Sequence, residues 1–271
     1  MCGRYVLVQS IEVLEKRFNI TLPIHFDWSP NYNISPGQYA PVITSANPKE
    51  LTLLRFGLTP FWSKKKMLIF NARAEGERNE SNDVNYSGSI DIINRPSFRK
   101  PIRSQRCLVI ADAFIEGSLK DGLDNPYLVF LKNKQRPFCF AGIYDIWKDP
   151  ETLEEVRGFS IITTVANELL QKIPHHRSPV ILKPGYEQMW LNPNTPLSDI
   201  TKLLKPFPSE LMNAYPIDKE IKNPKNNDKA LILPKGSTLF AEQVIKSSKD
   251  LKLQGMGSRK QYTEQNWNTK S

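Results

Sequence analysis

The chain opens Met1-Cys2-Gly3-Arg4, and its second residue carries the first chemistry it has to offer. Removal of an initiator methionine needs a small residue behind it, and cysteine qualifies. With Met1 gone, Cys2 presents a free α-amine and a thiol on neighbouring carbons, a pair no internal residue can supply. An aldehyde condenses with such an amine to an imine, and the thiol then closes a five-membered thiazolidine. An α-amine titrates near about 7.7–8.0 and a lysine near about 10.4, so the neutral fraction near pH 7 is roughly 300-fold larger at the terminus. The competing reading of Cys2 is a small apolar residue that is simply buried.

Four segments elsewhere accompany it. They are Arg55-Phe56-Gly57-Leu58-Thr59-Pro60-Phe61-Trp62, Asn71-Ala72-Arg73-Ala74-Glu75, the run from Arg106 to Gly117 that ends Ala113-Phe114-Ile115-Glu116-Gly117, and Thr163-Thr164-Val165-Ala166-Asn167 followed by Pro174-His175-His176-Arg177-Ser178-Pro179-Val180-Ile181-Leu182. With Met-Cys-Gly-Arg, this ordered set resembles the SOS-response-associated peptidase (SRAP) family over roughly residues 2–191. The resemblance implies a sensor of abasic sites in single-stranded DNA, whose processed cysteine forms a thiazolidine crosslink with the ring-opened deoxyribose aldehyde. Carried over by position, Cys2 is the covalent residue and Asn71 orients it or the sugar. Glu116 is the general acid/base, and His175 assists the proton transfers and crosslink reversal; the His-x-Arg-x-Pro spacing selects His175 over His176. The chemistry wants these types: opening the sugar moves a proton from one oxygen to another, which a carboxyl and an imidazole can do, while an amide orients without titrating.

Arg4, Arg73 and Arg177 lie beside those positions and are expected to clamp phosphates flanking the lesion. Phe61 and Trp62 are expected to stack on neighbouring bases; core packing is their alternative. Asn33, in Tyr-Asn-Ile-Ser-Pro, is a candidate backbone contact or an Asx-turn residue. The sequence departs from the family where Gly117 replaces a tryptophan, which is expected to widen or rewet the pocket beside the acid. Ser178 and Phe56 are two further departures. Two rival functions are a cysteine N-terminal-nucleophile autopeptidase and a non-covalent module for single-stranded or modified DNA.

Composition frames these readings. The 271 residues carry 37 Lys and Arg against 28 Asp and Glu, a formal charge of +9, which favours a polyanionic partner. Three cysteines without CxxC spacing argue against a disulfide framework or structural zinc. His25 is isolated, and adjacent His175 and His176 lack helical ligand spacing, so no metal and no cofactor are expected. No run is long and apolar enough for a membrane span, and no signal-peptide pattern precedes Cys2. The expectation is a cytoplasmic monomer, or a nuclear one in a eukaryote.

The elements that must position the site follow from pattern. Strands are expected at 5–8, 40–44, 51–58, 107–115, 126–131, 138–147, 158–164 and 179–183. A helix begins behind Ser10 with Ile11, Leu14 and Phe18 on one face. Others lie near 166–173, 185–191 and 197–205. Residues 23–38 read as loop and 76–92 as a polar surface excursion. Sparse, irregularly placed helices exclude a doubly wound sheet. The fold expected is α+β: one domain, residues 2–243, on a curved, mostly antiparallel, barrel-like sheet flanked by short helices, with a polar basic tail at 244–271.

Overall fold

The computed structural model describes residues 2–23, 26–132 and 136–241. Met1, His25 and the expected tail at 244–271 lie outside them. The compact unit ends at Leu239.

Thirteen strands are described: β1 (Tyr5–Leu7), β2 (Asn31–Ile34), β3 (Tyr39–Thr44), β4 (Leu51–Phe56), β5 (Asn71–Arg73), β6 (Arg106–Ala111), β7 (Ala113–Ser118), β8 (Gly122–Leu131), β9 (Phe138–Lys148), β10 (Glu155–Val165), β11 (Arg177–Pro179), β12 (Ile181–Leu182) and β13 (Met212–Pro216). The α-helices are α1 (Ile11–Phe18), α2 (Pro101–Ser104), α3 (Glu168–Lys172), α4 (Glu187–Leu191) and α5 (Leu197–Lys202). None is long and apolar enough to cross a membrane.

Strands β10, β4, β3, β6 and β9 pair in a ring that β9 and β10 close over seven residue pairs, from Glu155↔Lys148 to Ile161↔Gly142. Every pairing in this ring is antiparallel except β10 with β4. Closure removes the open edges that invite aggregation. Short β5 and β11 add to β10, and β12 adds to β9. A second, wholly antiparallel sheet runs β13-β8-β7-β1-β2. The expected barrel-like antiparallel architecture is therefore what forms.

The expected strand 107–115 is two strands in two sheets. At the junction the Asp112 N–H donates to the Val6 carbonyl (2.7 Å), and its carboxylate accepts from the N–H groups of Val8 (2.7 Å) and Gln9 (3.1 Å). A continuous apolar run conceals this switch, because both halves are buried. Periodicity also missed β2, β5 and β13, which are too short and irregular to show alternation. Ser10 takes an extended N-cap conformation, though its hydroxyl makes no capping bond.

The N-terminal strand is held on both sides, by β2 and β7. Tyr5 is fully buried and meets Phe56 and Phe140 edge-on, with centroids 5.6 and 6.0 Å apart. Such aromatic pairs add to ordinary area burial. Chain ends usually fray; this one enters a core.

Asn33 and Arg4 are engaged by the fold. The buried Asn33 Nδ2 donates to the carbonyls of Ile221, Asn223 and Asn226 (3.1, 2.9 and 2.9 Å), and its Oδ1 accepts from Arg4 Nη1 (2.6 Å). Arg4 also donates to the carbonyls of Ile221 and Lys222, both at 2.8 Å. Asn33 thus clamps residues 221–226. Arg4 joins that clamp, and no carboxylate neutralises its charge in these bonds. Asn33→Ala is expected to lower stability by about 1–3 kcal/mol, since it removes the buried amide that joins Arg4 to the carbonyls of residues 221–226. Urea unfolding checks this, and an unchanged midpoint contradicts it.

Candidate active site

Cys2 is 1% exposed. The Ile115 N–H donates to the Arg4 carbonyl (2.9 Å), which extends the β1·β7 ladder by one residue beyond Tyr5↔Phe114. Continuing that register carries Cys2 alongside Glu116 and Gly117. From the other side, Asn71 Nδ2 donates to the Cys2 carbonyl (2.9 Å) and to its neighbour Phe70's (3.0 Å). The Asn71 Oδ1 is buried without a hydrogen-bond partner. Strand β5 places that amide by pairing parallel to β10, with Ile161↔Asn71 and Thr163↔Arg73.

Burial pushes the Cys2 thiol well above its ordinary value, and the Glu116 charge adds to the rise; the Arg4 N–H acts against both. At neutral pH this residue is a thiol, not a thiolate.

Glu116 and His175 come from distant parts of the chain and meet here, with His175 Nε2 3.4 Å from Glu116 Oε2 and both side chains buried. The Leu119 N–H donates to the Pro174 carbonyl (3.1 Å), which ties the end of β7 to the turn bearing His175. Asn167 caps α3 by accepting from the Leu170 N–H (3.1 Å), and the His175 N–H then closes on the Leu170 carbonyl (3.0 Å). His175 Nδ1 lies 2.8 Å from the Arg177 carbonyl, the shorter of its two backbone contacts. That contact takes Nδ1–H as donor, which turns Nε2 toward the Glu116 carboxyl. The pair is a ready proton carrier.

Arg177 stands elsewhere than expected. It is 1% exposed, and its Nη2 donates to Glu75 Oε2 (2.8 Å) and Thr163 Oγ1 (3.2 Å). Thr164 Oγ1 donates to the other Glu75 oxygen at 3.0 Å. Arg177 is thus half of a buried ion pair, while its Nε and Nη1 are buried and without partners. Pairing and hydrogen bonding make a buried charge tolerable. Sequence reasoning gave Glu75 no role, though its spacing from Asn71 and Arg73 was a usable signal. Arg73 is half-buried beside these groups. His176 stacks on His175 (5.4 Å, 19°).

Phe61 and Trp62 are about half exposed, at 49% and 50%. Their loop is pinned: the Phe61 N–H donates to Asp145 Oδ2 (2.9 Å), Trp62 Nε1 to the Pro96 carbonyl (3.2 Å) and Trp147 Nε1 to the Ser63 carbonyl (2.7 Å). Gly57 permits it, with φ at +126° and no room for a Cβ against Leu68. Of the family departures, Gly117 does not widen the pocket: a Cβ there would lie 1.7 Å from the Gly122 carbonyl oxygen, so backbone fills the space. Ser178 is buried, and Phe56 stacks on Phe159 at 5.0 Å. Among the described residues no group of three His, Cys, Asp or Glu could hold a metal ion.

A sequence model described as SOS response associated peptidase (SRAP) matches residues 1–224. The chain is similar to the abasic site processing protein YoqW of Bacillus subtilis, 36% identical over 240 residues that cover 86% of this chain and 99% of the relative. It is also similar to the abasic site processing protein HMCES of Gallus gallus, at 27% identity over 76% of this chain and 67% of that one. The crystal structure of a Bacteroides thetaiotaomicron protein superposes with a TM-score of 0.71 at 30% identity, covering 86% of this chain and 99% of that chain.

Burial, then the nearby charges of His175, Arg177 and Arg73, hold His176 down from 6.5 to about 4. The unfolded chain therefore takes up a proton below about 6.5 that the folded one refuses until about 4, so this contribution to stability declines as pH falls through that window. His176→Gln is expected to show a shallower fall in urea midpoint between pH 7 and pH 4.5 than wild type. Parallel curves contradict it.

Proposed function

Because the chain belongs to the SOS response associated peptidase (SRAP) family, we propose that it processes abasic sites in DNA, capturing the lesion covalently through the amine and thiol of Cys2. The observation that carries the mechanism is the grip of Asn71 on Cys2 at the register of Glu116. A residue freed at its N-terminus by loss of Met1 would be held in place, with its amine near the unpartnered Asn71 Oδ1.

The steps follow from the groups present. Ring opening moves the proton of the sugar's C1′ hydroxyl to a base and delivers one to O4′; the Glu116–His175 pair supplies both roles. The neutral Cys2 amine adds to the aldehyde carbon. Proton transfer to the carbinolamine oxygen expels water and leaves an imine. The thiol adds across that C=N bond, carbon to sulfur and proton to nitrogen, and the thiazolidine closes. Aldehyde, amine and thiol thus give thiazolidine and one water, with no oxidant or cofactor. A thiol kept protonated by burial suits this order, in which the amine attacks first; it works against a thiolate peptidase. Arg73 serves phosphate oxygens next to the lesion, and Phe61 and Trp62 serve the bases of a single strand.

Incubation with an abasic single-stranded oligonucleotide is expected to give a heat-stable shifted band on a denaturing gel, and intact mass is expected to show Met1 missing. No band from wild-type protein overturns the proposal. Cys2→Ala is expected to lose the stable band. Glu116→Gln is expected to slow its formation on the order of 10²-fold; single-turnover gels measure that rate, and an unchanged one removes Glu116 from the mechanism.

A further inference from the structure

Three cavities lie along the turn from β12 to α4, and they share walls. The first, about 220 Å³, lies between Leu182, Leu203 and Phe207, with the exposed Lys183, Lys202 and Lys205 also lining it. The second, about 260 Å³, has Leu182 in common with the first and adds Arg17 and Arg136. The third, about 220 Å³, has Arg17 and Glu187 in common with the second. No carboxylate lines the first cavity. Glu187, the one acid lining the other two, is buried and engaged: its Oε1 accepts from Arg17 Nη2 and its Oε2 from the Gly185 N–H, both at 2.6 Å. Lys183, Lys205 and Arg136 are exposed and take part in no ion pair among the described residues, while Lys202 is paired with Asp199 at 2.7 Å. The groove is therefore apolar inside and positive at its edge. Its walls are fixed. The Phe207 carbonyl accepts from Asn167 Nδ2 (2.8 Å), the Lys205 N–H donates to the Leu203 carbonyl (2.9 Å) and the Tyr186 N–H to the Lys183 carbonyl (3.1 Å). Preformed walls lower the ordering cost of binding. A cavity of about 150 Å³ admits a benzene ring, so the first has room for one large apolar side chain.

We propose that this groove docks an acidic peptide segment of another protein, with one apolar side chain in the Leu203–Phe207 cavity and carboxylates on Lys183, Lys205 and Arg136. The buried apolar side chain supplies affinity, and the unpaired cations around it select for charge. A nucleic-acid strand would use the same cations, but it has no aliphatic side chain for the cavity, and Tyr186 (42% exposed) is the one exposed ring that the first cavity offers its bases. The chain's own residues 242–271 hold six cations and three acids, the wrong charge for this groove. The proposal needs neither Cys2 nor a DNA lesion.

The probe is a fluorescein-labelled peptide, Gly-Asp-Glu-Asp-Leu-Phe-Asp-Glu-Gly, titrated with the full chain and followed by anisotropy. A Lys183→Glu/Lys205→Glu variant is expected to bind it at least about tenfold more weakly than wild type. A peptide with lysines in place of its acids is expected to bind that variant more tightly than it binds wild type. A peptide with Ser-Ser in place of Leu-Phe is expected to bind wild type about tenfold more weakly than the probe does. Equal thermal midpoints confirm that the variant folds, and the serine comparison uses wild type alone, so it decides in either case. No binding of the probe by wild type, equal affinity in the variant, equal affinity for the serine peptide, or displacement of the probe by an equal concentration of an undamaged single-stranded oligonucleotide each overturns the proposal. Crosslinking of an abasic strand is scored separately and is expected to be the same for variant and wild type, so failure of the groove and failure of the covalent reading are told apart.

Discussion

Everything at the site depends on where the first strand is fixed. β1 is three residues long, yet it pairs on both sides and sends Tyr5 into the aromatic core between the sheets. Three residues before that anchor is Cys2. A reactive terminus on a fraying end would sample many positions; one tied by strand pairing and by the Asn71 amide has few. The Asp112 junction serves the same end, since it binds the chain just after β1 while passing the polypeptide from barrel to second sheet.

Around that fixed end the site is buried, and burial selects which forms of its groups persist. It keeps the Cys2 thiol protonated and holds His176 neutral. Buried charge is held by a partner, as in Glu75 with Arg177, or by backbone hydrogen bonds, as at Arg106 and Asp145. The proposed chemistry runs on a neutral amine and thiol, and burial keeps the thiol in that form.

Several residues whose types suggest ligand contact are engaged by the protein itself. Arg4 and Asn33 hold residues 221–226 against the second sheet, and Arg177 anchors Glu75. An arginine beside a catalytic residue looks the same in sequence whether it meets a phosphate or a carbonyl, because both satisfy the same donors. Gly117 illustrates the converse. Its lack of a side chain looked like added space, and the Gly122 backbone occupies that space.

Most barrel strands were legible, because long runs rich in Val, Ile and Phe mark buried sheet wherever they fall. So was the small, ordered set of polar residues, since reactive types in fixed order are a local property. The lesion-bearing partner and the family followed from that set. What pattern could not carry was anything set by partners remote in the chain: the sheet switch at Asp112, the three short strands, the 3.4 Å meeting of Glu116 with His175, and the buried pairing of Arg177. By itself the sequence determined which chemical groups exist and which stretches carry the charge. Only the tertiary structure decided which groups face one another and which are shut away from water, because contact and burial arise from long-range strand pairing that no local window contains.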